Sequence, residues 1–366
     1  MAKKSSGFYF PEEVIFQILS WLPVISLLRF KLVCKSWRSM ISKSELIENH
    51  TANSLKREAF VLSLPTIPVD EVSYSSGRRG DIKNAFYFDT HDLSYMLHFP
   101  PQISDVKHLI RSCNGLVCLS NILGNFIYLL NPLTRGFKIL PTPKIDAFYR
   151  IDLGFCFDSI SNDYKLLRIM QSDVSNYGRF TFVLKAELYS ANANSWKKIK
   201  VPKAVTKILP WPYSKCVDFN SGVVYFENGK ELLSFDSHNE VFGIYQFPES
   251  VRHKRKSDVL DFNGSVAMIF ESVCDESVLS LWTLDDVCGN VSWVKKFNLE
   301  VVPGISWINL HLGAGQYVAQ CNNGASYVFY DYRKKETTEL PHLQNCVSVM
   351  KYRDSFVSLE GFEQLQ

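Results

Sequence analysis

Apolar residues between residues 9 and 41 recur with the spacing of α-helices. Pro11 suits the first turn of a helix because its missing N–H costs nothing there, and Glu12 and Glu13 place negative charge at the positive end of the helix dipole. The apolar stripe that follows at helical spacing consists of Val14, Ile15, Ile18, Leu19 and Leu22. Phe16 and Trp21 lie off this stripe, so the predicted helix is apolar on more than one side.

The same pattern predicts two further short helices. Pro23 ends the first helix and is suited to begin the second. The second helix presents Leu27, Leu28 and Leu32, and a third from about Cys34 carries Trp37, Met40 and Ile41. Three helices in about 35 residues are too few to bury this much apolar surface alone. The excess apolar surface therefore predicts a partner.

Several short motifs lie in this window, namely Phe10-Pro11-Glu12-Glu13, Ile18-Leu19, Leu22-Pro23, Leu27-Leu28-Arg29-Phe30-Lys31 and Val33-Cys34-Lys35-Ser36-Trp37. In this order and spacing they resemble the F-box of plant F-box proteins, although Phe10 stands where the family usually has leucine. The resemblance implies docking onto the small Skp-type adaptor of a cullin-RING ubiquitin ligase. The residues that we expect to anchor this contact are Pro11, Leu22, Pro23, Leu27, Leu28, Val33 and Trp37. The competing interpretation is that the helices only cap the neighbouring domain as part of its core.

From about residue 57 the apolar pattern changes to that of β-strands. Short segments rich in Val, Ile, Phe, Tyr and Leu alternate with Gly, Asn, Asp and Pro. Polar turns after apolar strands recur roughly 40 to 60 residues apart, close to the period of a four-stranded propeller blade. The turn positions are Asp89, Asn131, Ser190, Asp236, Leu284 and Asp331. Six blades fit these positions best, and seven are the alternative.

The ring of a propeller has to be closed. We expect the C-terminal segments 347–352 and 355–359 to pair with the incomplete first blade near residues 59–64. The longest interval between turns contains residues 171–178, which we interpret as a loop insertion. Trp196, Trp282 and Trp293 are expected to fill the seams between stacked blades, and Asn131 and Asp236 to set tight turns through their side-chain oxygens.

A second set of motifs follows the helices. It comprises Cys113-Asn114-Gly115-Leu116-Val117-Cys118-Leu119, Asn131-Pro132-Leu133-Thr134-Arg135, Leu140-Pro141, Gly154-Phe155-Cys156-Phe157-Asp158 and Asn162-Asp163-Tyr164-Lys165-Leu166-Leu167-Arg168-Ile169. These motifs are similar to the F-box-associated (kelch-like) domain of plant F-box proteins, with Cys156 where the family most often has glycine. The later repeats, including Ser292-Trp293 and the ending 349–359, look most like the S-locus F-box branch, whose members recognise pistil S-ribonucleases in self-incompatibility.

Composition narrows the class of protein. The chain has 366 residues, 46% of them hydrophobic, and a formal net charge of +3, which is too small to indicate a nucleic-acid partner. No apolar run is long enough for a membrane span or a signal peptide, so we expect a cytoplasmic protein, with a nuclear location as the alternative. The nine cysteines show no metal-ligand spacing, and we interpret them as reduced and mostly buried. The basic run 252–256 reads as a solvated loop or a localisation signal.

The sequence contains no convincing catalytic set. Asp285-Asp286 and Asp275-Glu276 are adjacent acids, but adjacent side chains on a strand point to opposite faces. We therefore expect no catalytic, cofactor-binding or metal-binding residues and no cofactor. Two domains are predicted, a three-helix F-box at 8–50 and a β-propeller at 57–366.

Two functions follow from these features. The first is a substrate receptor of a Skp-cullin-F-box ligase whose propeller binds a target protein. The second is a propeller-fold glycan-binding protein or hydrolase with a helical cap. The target-binding residues are unknown, and loops 171–178, 251–258 and 273–277 are the best candidates because loops on a rigid scaffold carry recognition.

Overall fold

The computed structural model describes residues 10–54, 60–65, 84–88, 93–98, 108–121, 124–145, 150–176, 179–206, 216–219, 222–227, 231–251, 257–271, 278–287, 290–300, 303–313, 315–324, 326–343 and 346–364. The chain begins with a helical block of four α-helices, α1 (Glu12–Trp21), α2 (Val24–Phe30), α3 (Lys35–Ile41) and α4 (Ser44–Ser54). The prediction of three helices was therefore one helix short. The missing helix α4 is mostly polar, which hid it from a search for apolar stripes.

Local signals fix the ends of these helices. Pro11 and Pro23 are the N-cap residues of α1 and α2, each with extended backbone geometry. The Cys34 sulfur accepts a hydrogen bond from the Trp37 amide at 3.4 Å and so caps α3. Helix α4 packs against α1, where the Asn53 side-chain amide donates to the Ser20 carbonyl at 3.3 Å.

The remaining described residues form β-sheets, numbered here in chain order. Sheet 1 contains β1 (Phe60–Pro65), β2 (Asn84–Phe88), β3 (Leu93–His98) and β24 (Cys346–Tyr352). Sheet 2 contains β4 (His108–Cys113), β5 (Leu116–Ser120), β6 (Ile127–Asn131), β7 (Gly136–Ile139) and β25 (Glu363–Gln364). Sheet 3 contains β8 (Arg150–Asp158), β9 (Asp163–Asn176), β10 (Arg179–Ser190) and β11 (Ser195–Ile199), and a short helix α5 (Lys203–Thr206) follows it.

The other three sheets each have four strands. Sheet 4 contains β12 (Cys216–Phe219), β13 (Val223–Glu227), β14 (Glu231–Asp236) and β15 (Val241–Gln246). Sheet 5 contains β16 (Ser257–Phe262), β17 (Ser265–Glu271), β18 (Val278–Val287) and β19 (Asn290–Glu300). Sheet 6 contains β20 (Ile305–Gly313), β21 (Gln316–Cys321), β22 (Tyr327–Asp331) and β23 (Glu336–Glu339).

The sheets stack in a ring around their innermost strands. Strand β4 contacts β8, β8 contacts β12, β12 contacts β16, β16 contacts β20, β20 contacts β24, and β24 contacts β4. Neighbouring sheets share apolar clusters, as where Leu188 of sheet 3 and Phe235 of sheet 4 belong to one cluster. Because each sheet is covered on both faces by its neighbours, strands such as β5 and β6 are buried along their whole length and are mostly apolar. The predicted helical block followed by a large all-β propeller is confirmed.

The C-terminal strand closes the ring. Strand β24 pairs antiparallel with β1, with Phe60 opposite Tyr352 and Leu62 opposite Met350. The predicted pairing of residues 347–352 is therefore confirmed. The predicted pairing of 355–359 with the first blade is wrong, because that segment leaves sheet 1 and runs along sheet 2, where β25 pairs with β7.

The predicted turn positions end the third strand of a sheet in most cases. Asn131, Asp236 and Asp331 each accept two backbone N–H bonds from the turn that follows. This confirms the interpretation of Asn131 and Asp236 as turn-setting residues. Leu284 was misplaced because β18 continues to Val287, and Asp89 lies outside the described residues.

Residues 171–176 are not a loop insertion. They belong to β9, which pairs with β10 as far as Asn176 opposite Arg179. The described part of β8 pairs with β9 as far as Arg150 opposite Gln171, and residues 172–176 and 179–183 pair with each other. We call these two paired segments the arm. The polar composition of residues 171–176 was misread as that of a loop.

Two of the three predicted seam tryptophans also hydrogen-bond across a seam. The Trp196 indole donates to the Pro141 carbonyl at 2.7 Å, and the Trp293 indole donates to the Gln246 carbonyl at 2.9 Å. Each bond joins the last strand of one sheet to the chain at or just beyond the end of the last strand of the preceding sheet. Trp282 instead donates to Ser280 within its own strand at 3.2 Å and packs in the cluster shared by sheets 4 and 5.

Candidate docking site

An exposed apolar surface covers one side of the helical block. Within the described residues, seven of the twelve large hydrophobic side chains that are exposed lie between Phe10 and Val33. They are Phe10, Val14, Ile18, Trp21, Ile25, Leu32 and Val33, with Leu32 87% exposed. The other five are scattered over the propeller. A concentration of this kind marks a protein–protein contact rather than the ordinary scatter of surface apolar groups.

Helix α1 creates this surface because it is apolar on two faces. Leu19 is buried, and Ile15 and Leu22 pack with it in the core of the block. Val14, Ile18 and Trp21 recur at positions i, i+4 and i+7 on the outer face and are exposed. The sequence predicted a single stripe that included both Val14 and Ile15, and the structure divides that stripe between core and surface.

The predicted anchor residues occupy three kinds of position. Pro11, Pro23 and Val33 are exposed and lie on the outer surface. Leu22, Leu28 and Trp37 are partly buried and pack against the core of the block, with the Trp37 ring 5.1 Å from the Phe30 ring. Leu27 is fully buried, which corrects its assignment as a surface anchor. Its spacing from Leu28 gave no sign of which leucine points inward.

The anchors expected from the sequence did not include five exposed residues of this surface, namely Val14, Ile18, Trp21, Ile25 and Leu32. A usable signal existed, because α1 carries more apolar positions than one helix face can hold. That signal shows that a second apolar face exists, but it does not show which of the two faces the core takes.

The other side of the helical block packs against the propeller. Leu133, in the turn between β6 and β7, and Phe356, near the C-terminus, join the apolar cluster of the helices. The buried amide of Val24 donates to the Asp354 carboxylate at 3.1 Å. The interpretation of the helices as a cap on the neighbouring domain therefore describes one face of the block, and none of the described residues covers the outer face.

The two ends of each blade have different surroundings. Strands in a blade alternate in direction, so the first and third turns of a sheet lie at one end and the second turn and the link to the next sheet lie at the other. Residues 353–357 contact the first end at Asn114, and the helical block contacts it at Leu133. The described strand ends flanking 171–178, 251–258 and 273–277 all lie at the second end, which we call the distal face.

The distal face also carries a groove. It lies between the link from sheet 2 to sheet 3 and the outer strands of sheet 3, and it has a volume of about 490 Å³. Lys144, Lys185 and Lys198 line it above an apolar floor that includes Leu184 and Ile199. Beneath the groove, the buried Arg168 guanidinium donates to Glu187 at 2.5 Å, and the Lys144 amide donates to the same carboxylate at 3.0 Å. This ion pair fixes one wall of the groove to sheet 3.

A buried carboxylate joins sheets 3 and 4. Asp158 accepts hydrogen bonds from Lys165 at 2.8 Å, from Ser161 at 2.5 Å and from the His238 ring at 3.1 Å. Burial favours a higher pKa for this carboxyl, but these hydrogen bonds outweigh burial and hold the pKa of Asp158 well below its usual range. Lys165 also donates to the Ser237 carbonyl at 2.9 Å. The cluster therefore connects sheet 3 to sheet 4.

The candidate catalytic and metal groups were also located. Asp285 and Asp286 lie in β18, and Asp285 accepts from Lys296 at 2.7 Å, while Asp275 and Glu276 lie outside the described residues. Nowhere in the part of the chain that the structure describes do three His, Cys, Asp or Glu side chains form a group that could hold a metal. The side chains of Cys113, Cys118 and Cys156 are buried, whereas Cys34 is exposed. The described helices include none of the length and apolarity that crossing a membrane requires.

Comparison with known families identifies the chain. The F-box domain model matches residues 9–49, and the model of the F-box associated beta propeller domain matches residues 70–338. The second match covers most of the chain, so the protein belongs to the family of F-box proteins with an F-box associated β-propeller domain.

Curated relatives from Arabidopsis thaliana carry the same domain names. The F-box protein CPR1 is 23% identical over 79% of this chain and 73% of its own length. An F-box protein is 26% identical over 80% of this chain and 70% of its own length, and an F-box/kelch-repeat protein is 23% identical over 83% and 69%.

Proposed function

We propose that this protein is the substrate-recognition subunit of a Skp-cullin-F-box ubiquitin ligase. The observation that carries the proposal is the exposed apolar surface of the helical block, which no described residue covers although the opposite face of the block is fixed to the propeller. A Skp-type adaptor is the occupant, because F-box domains dock on this adaptor and the exposed side chains belong to the F-box match at residues 9–49.

In this role the protein supplies no reacting group. The helical block connects the chain to the ligase, and the propeller holds a target so that target lysines lie near the charged ubiquitin carrier. Binding two proteins to one rigid scaffold raises their effective concentration and removes much of the entropy cost of their encounter. The rate of ubiquitin transfer therefore depends on geometry.

The docking surface can be tested with a matched pair of double variants. Ile18→Glu with Val33→Glu introduces two carboxylates into the exposed apolar surface, where neither side chain supports the core. We expect the affinity for a Skp-type adaptor to fall by about 100-fold or more, because the new charges are desolvated on binding. The measurement is titration calorimetry on the full chain.

The control is Ile160→Glu with Val241→Glu, which makes the same changes at exposed positions on the propeller. Adaptor affinity should be unchanged in the control. Equal adaptor affinity in the two double variants would contradict the proposed docking surface. Leu22 is avoided because it packs in the core of the block, so its replacement confuses docking with folding.

For the target, we propose pistil S-ribonucleases bound at the distal face. The support is the similarity of residues 292–293 and 349–359 to the S-locus F-box branch, together with the position of the strand ends that flank the three candidate loops, which lie at the end of the blades away from the helical block. The test is capture of purified S-ribonucleases by the immobilised chain, with an unrelated basic ribonuclease as control. Equal capture of both would reject this target and indicate charge alone.

We also propose that the ring has six blades. The support is the closed sequence of contacts from β4 through β8, β12, β16, β20 and β24 back to β4. An experimental structure of the propeller with seven sheets would overturn this number. We also propose a cytoplasmic location, with a nuclear location as the alternative, and imaging of a tagged chain tests it. The basic run 252–256, a solvated loop or a localisation signal, lies outside the described residues.

A further inference from the structure

We propose that residues 353–364, the C-terminal segment, hold the helical block in a fixed orientation on the propeller and thereby position the target for ubiquitin transfer. The role in ubiquitin transfer rests on the proposed function. The fixed orientation of the block on the propeller, which we call the mechanical part, does not. The covalent link between block and propeller, residues 55–59, precedes β1. The C-terminal segment provides a second, non-covalent connection from the far end of the chain.

Hydrogen bonds fix the C-terminal segment to sheet 2. The Asn131 side-chain amide donates to the Ser355 and Val357 carbonyls, both at 2.9 Å. The Ser355 hydroxyl donates to the Asn114 carbonyl at 2.5 Å, and Lys138 donates to the Glu360 carbonyl at 2.8 Å. The short strand β25 then extends sheet 2 by pairing with β7.

The fit between the segment and the blade is close. The turn Asn114-Gly115 has positive φ at both residues, as a two-residue type I′ hairpin requires. A Cβ built on Gly115 would lie 2.2 Å from the Ser355 hydroxyl and 2.8 Å from the Ser355 amide nitrogen. Only glycine lets the segment approach the turn this closely. The segment is therefore seated on the blade and not merely resting against it.

The same segment enters the helical block. Phe356 is 4% exposed and completes the apolar cluster of the helices. Its ring makes an edge contact with the His50 ring, with centroids 5.6 Å apart, and the Lys31 ammonium lies 5.1 Å from its centroid. Asp354 accepts the buried Val24 amide at 3.1 Å. Consecutive residues of one segment thus face the blade and the block in turn.

Together with Leu133 of the β6–β7 turn, the C-terminal segment therefore sets the relative orientation of the two domains. Asp354 and Phe356 face the helices, whereas Ser355 and Val357 are held by Asn131 on the blade. Removing the Phe356 side chain takes away an apolar contact that spans the two domains but leaves the outer docking surface of the block unchanged. The block then remains able to dock but is no longer held at one angle.

The first test uses the full chain without any partner. In Phe356→Ala we expect hydrogen exchange at the Val24 amide to accelerate at least about tenfold, because the cavity weakens the contact that protects it. Small-angle scattering should show a larger maximum dimension. Phe242→Ala, which removes a partly buried ring in sheet 4 far from the block, is the control and should change neither reading. Unchanged exchange and scattering in Phe356→Ala would overturn the mechanical part.

A second variant guards against simple unfolding of the block. Asp354→Ala removes the carboxylate that accepts the Val24 amide and leaves the apolar cluster intact. It should accelerate the same exchange while the helical circular dichroism stays at its original value. If Val24 exchange is unchanged when this carboxylate is removed, the segment does not hold α2 and the inference fails.

The positioning role is tested in the reconstituted ligase by mapping ubiquitin on the chain's own lysines. With a fixed block we expect ubiquitin on a few propeller lysines. In Phe356→Ala we expect adaptor affinity within about threefold of the original and ubiquitin spread over more lysines. An unchanged lysine pattern would overturn the positioning role. Failure of the original chain to bind the adaptor would instead reject the proposed function, and the exchange and scattering results would still decide the mechanical part.

Discussion

At the scale of single residues, contacts between distant segments of the chain explain why certain residues occur in the propeller motifs. Gly115 and Asn131 both contact the C-terminal segment, and Leu133 contacts the helical block. Each belongs to a motif that resembled the F-box-associated domain. The asparagine does two tasks, because its carbonyl oxygen sets the turn while its amide binds Ser355 and Val357.

The chain contains a matched pair of glycines that separates turn strain from this close approach. Gly115 and Gly264 both follow an asparagine in a two-residue turn with positive φ, but a Cβ on Gly264 meets nothing within 4 Å. We expect Gly264→Ala to cost about 1–2 kcal/mol for the left-handed backbone alone. Gly115→Ala should cost clearly more, because the Cβ displaces Ser355.

The measurement for this pair is the free energy of unfolding of each variant in urea. Equal losses would show that the C-terminal segment moves away from Gly115 without a cost. That result would also argue against a closely seated segment.

At the scale of elements, stability resides in the seams between neighbouring sheets. His311 of β20 lies in such a seam, with its ring centroid 4.6 Å from that of Phe262 in sheet 5 and 5.1 Å from that of Tyr317. Burial lowers the pKa of His311 to about 4, the positive charge of Lys351 adds to the lowering, and Asp261 opposes it. The histidine is therefore neutral in the folded seam at physiological pH.

This lowered pKa predicts acid sensitivity with a definite sign. Between the unfolded value near 6.5 and about 4, the unfolded chain binds a proton at this histidine and the folded chain does not. The stabilisation is fully present above pH 6.5 and is lost as pH falls, by about 3 kcal/mol in total.

His311→Phe should reduce the difference in unfolding free energy between pH 7 and pH 4.5, because phenylalanine keeps the aromatic packing without titrating. Urea denaturation at both pH values, with the unmodified chain as reference, measures this change. An identical pH difference in the variant and the reference would disprove the assignment.

At the scale of the whole molecule, the C-terminus does two separable jobs. Strand β24 closes the ring against β1, β4 and β20, whereas residues 353–364 hold the helical block. The first job protects strand edges that would otherwise be open to aggregation. The second job holds the helical block against the propeller, although along the chain the two domains are joined only by residues 55–59.

Two truncations separate these jobs. Removing residues 353–366 should leave cooperative thermal unfolding of the propeller, because β24 still closes the ring. Removing residues 346–366 should abolish cooperative unfolding and cause aggregation, because the ring loses its last strand. Calorimetry and light scattering measure both outcomes. If the two truncations behave alike, ring closure by β24 is not the decisive contact.

Much of this fold follows from local signals in the sequence. The spacing of apolar residues gave α1 and α2, the turn residues marked the third strands of several blades, and the need to close a ring pointed to β24. Helix α4 was not predicted because it is mostly polar. The arm of β9 and β10 was not predicted because its polar composition is also typical of a loop. In both cases the residues of the element specify it weakly: α4 is held by its contacts with α1, and the arm by the pairing of its two strands.

The sequence by itself determined that an apolar helical block precedes a β-ring, because periodicity depends only on the order of residues. The tertiary structure alone decided which face of α1 remains bare, that Leu27 is buried, and that Phe356 enters the block from more than 300 residues away. The periodicity of apolar residues shows that α1 has two apolar faces, but it does not show which face packs in the core. That choice depends on which other surfaces reach it, and contacts between distant residues leave no mark in local spacing.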